Sequence, residues 1–309
     1  MFRPTDKISL KLKGAEFFNT AVENIKISTL YTNRFFELFG LSFENETIWM
    51  KISQPQKTTE HNFQSFNLET EMIARENILQ KSKLKLNEII EFNQTHDLLQ
   101  NDYILCLPLE GDFLENINYS IDLQQQIDAF QSHFYKINNA TFGDLLDNNT
   151  FMSWSAAFLF RWQYMLDYLQ ANHILNLEEI QCCNSFFEAI KSSLNEDCLP
   201  VLINLNLDAK LYLSSFHQIL GYADYTNCYW GTPEFEMAKR DFQKSIETPA
   251  LKEYKQLIKN NIDSKARYFL YYVYFLLEDH IYKIIKKEQI LTVNNGKNMA
   301  LTLMKNALT

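Results

Sequence analysis

The chain has 309 residues, 46% hydrophobic and 14% aromatic, which is enough to bury one large core or two medium ones. With only 7 glycines and 6 prolines it is neither fibrous nor disordered in composition, and a formal charge of -9 argues against an extended nucleic-acid or anionic-membrane surface. The 5 cysteines (Cys106, Cys182, Cys183, Cys198 and Cys228) include no Cys-x-x-Cys pair, so no zinc framework is readable and a reducing, cytoplasmic setting is expected.

Residues 1–7 lack the apolar run of a signal peptide, and no later apolar stretch approaches the length of a membrane span. Strand-like groups then fall at 25–30, 35–43 and 47–52, close enough together for an antiparallel meander. The turn between the first two, Tyr31-Thr32-Asn33-Arg34-Phe35, contains no glycine, and Asn33 reads on its own as a turn former. Lys51 lies inside the apolar strand, where it is either solvated or paired. A helix is expected over 66–79. In it Glu71 shares a face with Leu68, Arg75 and Ile78, whereas Glu69 points toward solvent. A carboxylate on an apolar face costs free energy unless it is paired, so Glu71 is the acid expected to meet a basic partner. Two further strands, 89–92 and 103–111, flank a polar tip at 94–101.

Beyond Gly111 the apolar period changes from two to about 3.6, and helices are expected at 121–137, 151–174, 177–194, 249–260, 264–287 and 299–308. The change divides the chain into 1–110 and 111–309. Within the second part, 199–238 breaks the helical pattern. Two apolar runs, 200–203 and 219–223, each deliver the chain to a polar cluster, 204–208 and 224–227. Asp224 is thereby placed at a strand end beside a loop, and Gly231-Thr232-Pro233 reads as a turn running into a helix start.

These residues resemble the aminoglycoside phosphotransferase and choline kinase superfamily. There an apolar run leads into His-Gly-Asp with an Asn shortly after, then a strand ending Gly-x-x-Asp, then Gly-Asp-Pro-x-Tyr-Asp-Leu-Ala. The second half is similar here, from Gly221 through Asp224 to the segment 231–238. The first half keeps its frame and loses its chemistry, because Asn204-Leu205-Asn206 stands where the family has His-Gly-Asp and Leu211 where it has Asn.

The resemblance implies an α+β, two-lobed protein-kinase-like fold: an N-terminal antiparallel sheet with one helix, then a mostly helical C-terminal lobe. It also implies ATP and Mg2+ as cofactors. Asn33 would sit in the turn covering the phosphates, Lys51 would contact them and pair with Glu71, and the backbone around Leu107 and Leu109 would hold the adenine. Asp224 would bind the metal. The departures weigh against catalysis. Asn206 can orient a hydroxyl but has no usable basicity, Leu211 cannot ligate a hard cation, and losing a general base costs about 10²- to 10⁴-fold in rate. Asp208 is a substitute carboxylate two residues on, an offset of roughly 6–7 Å along a strand.

A divergent, catalytically impaired member that still binds nucleotide is therefore the first expectation. Two others stay open. One is an active kinase for a hydroxyl of an aminoglycoside-like, choline-like or sugar-like compound, for which the acidic charge suits a cationic substrate. The other is a partner-binding module without nucleotide.

Overall fold

A computed structural model describes residues 4–32, 36–53, 68–97, 99, 101–114, 121–146, 149–194, 198–206, 212–215, 218–245, 262–285 and 290–308. Asn33, Asp208, Leu211 and the helix expected at 249–260 lie outside the described residues. The chain forms two compact units: Met1–Phe134 with Asn206–Asn227, and Tyr135–Leu205 with Cys228–Thr309.

The first unit opens with α1 (Pro4–Phe18) and the strands β1 (Lys26–Thr32), β2 (Phe36–Phe43) and β3 (Glu46–Ser53). It continues through α2 (Leu68–Lys81), β4 (Ile89–Asn93), β5 (Tyr103–Cys106), β6 (Asp112–Phe113) and α3 (Ile121–Ser132). The second unit takes β7 (Phe142–Asp144), β8 (Thr150–Phe151), α4 (Trp154–Ala171), α5 (Leu177–Ile190) and β9 (Val201–Asn204). The chain then returns to the first unit for β10 (Tyr212–Ser215) and β11 (Gln218–Tyr222). It ends in the second with β12 (Cys228–Gly231), α6 (Pro233–Ser245), α7 (Ile262–Ile285) and α8 (Ile290–Leu308).

In the first unit β1, β2 and β3 form the expected meander, which β5 and β4 extend in the order β1-β2-β3-β5-β4, every pairing antiparallel. The two-residue connection from β2 to β3 is closed by Glu44 at φ 53°, the backbone region that tight hairpins demand. One side of the sheet packs Phe39, Leu41, Ile48, Met50 and Leu105 against Leu10 and Ala15 of α1. A second sheet, β11-β10-β6, is also antiparallel. Its start needs Gly111, whose φ of 105° and whose approach to the Ser214 carbonyl leave no room for a Cβ, which would lie 2.8 Å from that oxygen.

The second unit is mainly helical, with a four-stranded antiparallel sheet β8-β7-β12-β9. Its α5 begins with a capping box in which Asn176 accepts from the Glu179 amide and Glu179 accepts from the Asn176 amide. Trp154, Phe158, Trp162, Phe187, Phe235, Tyr271, Tyr274 and Phe275 fill the core. The apolar stripe of α7 is packing, as its composition suggests.

The architecture is the expected α+β, kinase-like one. Several details differ from the sequence reading. Over Pro4–Phe18, where no element is expected, the chain forms α1, and the strand expected over 103–111 ends at Cys106. Trp230 and Gly231 belong to β12 and are not part of a turn, because both are covered and paired with β9. The runs at 200–203 and 219–223 lie in different sheets, the second paired with β10, which is too short to show a period of its own. The last helix starts at Ile290, ahead of the apolar segment that marks 299–308. Among the described residues no helix is long and apolar enough to cross a membrane.

Candidate functional site

Lys51 sits on β3 between β2 and β5, opposite Leu38 on one side and Ile104 on the other, and is 2% exposed. An ammonium so deep must be matched by acceptors. All three of its protons are taken: by Glu71 Oε2 at 2.5 Å, the Ala223 carbonyl at 2.9 Å and Asp224 Oδ1 at 3.0 Å. The Phe36 ring covers it from 4.3 Å. Glu71, not the exposed Glu69, is the acid on the buried face of α2.

The polar chain continues past Glu71. Arg75, one turn along α2, donates from Nε to Glu71 Oε1 at 2.8 Å and from a terminal nitrogen to Asn87 Oδ1 at 2.7 Å. Burial opposes its charge, but the Glu71 carboxylate outweighs that and holds the guanidinium above its ordinary range. Asn87 passes the chain to the Cys106 thiol, which burial pushes up to about 11. Two cations and two carboxylates thus cancel within one buried cluster, which is what lets it exist away from water.

Asp224 follows β11 and is wholly buried. Its Oδ1 accepts from Lys51 Nζ, from the Thr226 amide at 3.1 Å and from the Thr226 hydroxyl at 2.8 Å, an Asx turn that fixes the rotamer. Its Oδ2 accepts from the Asn206 side-chain amide. Asn206 is itself held through its carbonyl, which accepts from Tyr222 Oη at 2.6 Å. All these residues belong to the first unit.

Mg2+, which the resemblance implies at Asp224, demands near-octahedral oxygen donors. Four protein donors already engage that carboxylate, three of them converging on Oδ1 and the Asn206 amide on Oδ2. The group that Asn206 turns toward it is an amide N–H, which donates and cannot ligate. Among the described residues no cluster of three or more His, Cys, Asp or Glu could hold a metal ion. The described residues, as they stand, do not fit the ion.

The segment expected to hold adenine is less open than its sequence suggests. The Leu107 amide donates to the Glu88 carbonyl at 2.9 Å, and the Leu107 side chain is exposed. Leu109 lies against Gly221, where a Cβ would come within 2.7 Å of its methyl group.

Arg75, Asn87 and Thr226 were not singled out for the site, although Arg75 was visible on the Glu71 face and Asp-x-Thr is a turn signal. Asn87 carries no local signal. In the second unit, Glu236 of α6 is also buried; it accepts from the Asn204 amide at 2.8 Å and from Tyr135 Oη at 2.8 Å, and so ties β9 to the helix that follows β12.

No protein-family model matches the chain, and no curated protein matches it in sequence. Solved structures do. An aminoglycoside phosphotransferase, a thermostable mutant of APH(4)-Ia in ternary complex with AMP-PNP and hygromycin B, is similar over 96% of this chain and 97% of its own, with a TM-score of 0.67 at 9% identity. A putative fructosamine-3-kinase from Haemophilus somnus 129PT matches over 97% of both chains with a TM-score of 0.59 at 16% identity. One from Thermobifida fusca YX-ER1 covers 97% of this chain and 98% of its own, with a TM-score of 0.61 at 11% identity. The likeness spans nearly the whole chain at identities too low to carry a reaction with it, and what it establishes is the fold: this chain has the two-lobed, kinase-like fold of the aminoglycoside phosphotransferases and fructosamine kinases.

Proposed function

We propose that the chain is a divergent small-molecule-kinase-like protein that binds a nucleoside triphosphate in its first unit and is impaired in phosphoryl transfer. The observation that carries this reading is the Lys51–Glu71 pair, an ammonium held by a helix carboxylate on the central strand beside a second carboxylate, Asp224. Such a lysine is pre-aimed and can exchange the neutral Ala223 carbonyl for a phosphate oxygen while keeping both carboxylates. The turn at Asn33 and the segment at Leu107 and Leu109 are the candidate contacts for the rest of the nucleotide. Similar structures support the ligand class, since they include aminoglycoside phosphotransferases in complex with AMP-PNP and hygromycin B and with GDP and kanamycin.

Impairment rests on Asn206. An amide cannot accept the proton of an attacking hydroxyl, and this one is committed to Asp224. Titrating the protein with a fluorescent ATP analogue tests the binding half. Saturable binding, displaced by ATP and weakened in Lys51→Arg, is expected, with the melting temperature of the free variant reporting that it still folds. Absence of binding at millimolar nucleotide by folded protein would leave the partner-binding reading in its place. Phosphorylation of an aminoglycoside or a fructosamine that vanishes in Asp208→Asn would instead establish an active kinase with a displaced base.

A further inference from the structure

We propose that Asn206 makes this site metal-independent: its amide and the Lys51 ammonium each hold one oxygen of Asp224 within a charge-balanced cluster, so the protein binds no divalent cation there, with or without nucleotide. The metal arm stands on geometry alone, and the nucleotide arm rests on the function proposed above.

Only a donor or a cation can face a carboxylate oxygen. Asp224 only accepts, so the group against its Oδ2 must donate, and an asparagine amide satisfies it without any ion between them. An aspartate in that place would set two carboxylates in contact, an arrangement that persists only if a cation bridges them or one of them takes up a proton. The residue at 206 therefore decides whether the site needs a metal. The other oxygen, Oδ1, accepts from the Lys51 ammonium and from two groups of Thr226. Lys51 stays on Asp224 because Asp224, Glu71, Lys51 and Arg75 balance in charge, and only its bond to the neutral Ala223 carbonyl is exchangeable. A divalent cation on Asp224 would compete with these matched donors and would bring uncompensated charge into a cluster that is already neutral. Tyr222 holds the Asn206 backbone in this pose by its hydrogen bond to the carbonyl.

The experiment compares the wild type with Asn206→Asp by thermal unfolding in EDTA, Mg2+ and Mn2+, and by Mn2+ binding followed with electron paramagnetic resonance. The wild type is expected to melt at one temperature in all three buffers and to leave the Mn2+ signal free. The variant is expected to melt lower in EDTA, to regain stability with Mn2+, and to quench the free-ion signal. Wild-type protein that binds Mn2+, or a folded variant indifferent to metal, overturns the proposal. Should the variant fail to fold in EDTA, refolding it with Mn2+ reads the same question: recovery supports the proposal and continued failure opposes it. The affinity of wild-type protein for the fluorescent ATP analogue, measured in EDTA and in Mg2+, is expected to be the same. A tenfold or greater gain with Mg2+ refutes metal independence, whereas no binding in either buffer refutes the nucleotide reading and leaves the metal arm standing.

Discussion

In the first unit a continuous polar run leads from the half-buried Asn206 through the buried charges of Asp224, Lys51, Glu71 and Arg75 to the buried Asn87. In the second the deepest side chains are rings. Phe235 has Trp154, Phe158, Tyr271, Tyr274 and Phe275 within 4.9 to 5.7 Å, and the buried Lys239–Glu278 pair packs against that cluster with Lys239 4.6 Å from the Phe275 ring. Both regions exclude water, but they do so under different rules. Rings pack without directional partners and tolerate repacking. The charged run works only while every donor has its acceptor, so one lost group leaves others stranded. That makes the first cluster poor as a stabiliser and good as a place where a ligand can be exchanged for an internal partner.

The sharpest way to break the contrast is Glu71→Ala, which strands two buried cations at once. A loss of about 3–5 kcal/mol in denaturant unfolding is expected, together with loss of nucleotide binding. A loss under about 1 kcal/mol would mean that the cluster is hydrated and the comparison wrong. Phe235→Ala should cost about 3 kcal/mol, the low end of the usual range for such a truncation, because rings on several sides can close in. Tyr271→Phe removes the acceptor of the Trp154 indole N–H, which lies 2.6 Å away, and should cost about 1–2 kcal/mol by the same measurement. Asn176→Ala, which deletes the capping box of α5, should cost about 1 kcal/mol and leave nucleotide binding unchanged.

The smallest effect belongs to Glu91, at the edge of the first unit. Burial raises its carboxyl, but hydrogen bonds from Lys13 at 2.7 Å and from Tyr103 at 2.5 Å outweigh that and hold its pKa below the ordinary carboxylate range. A depressed pKa contributes stability that is complete above the unfolded value and disappears as pH falls through the folded one. The melting temperature of wild type should thus fall more than that of Glu91→Gln as pH drops from about 5 to about 3. Parallel curves would remove Glu91 from the account.

Much of the candidate site could be read from local pattern, since an acid on an apolar helix face and a lysine in an apolar strand each demand a partner. Arg75 belonged to the same logic one turn later. Asn87 and Thr226 did not stand out, because their value lies in what they touch across the sheet and the turn. The strands β10 and β12, four residues each, fell below the length at which alternation becomes visible.

By itself the sequence determined the meander, the Glu71 face, the main helices and the missing carboxylate at Asn206, because each depends on residue type and short-range period. Only the tertiary structure decided that Lys51 and Asp224, 173 positions apart, share one neutral cluster, and that the Asn206 amide donates to Asp224 Oδ2 while Lys51 holds Oδ1. Period acts along the chain, whereas charge balance and lone-pair occupancy are properties of whatever the fold brings within 3 Å.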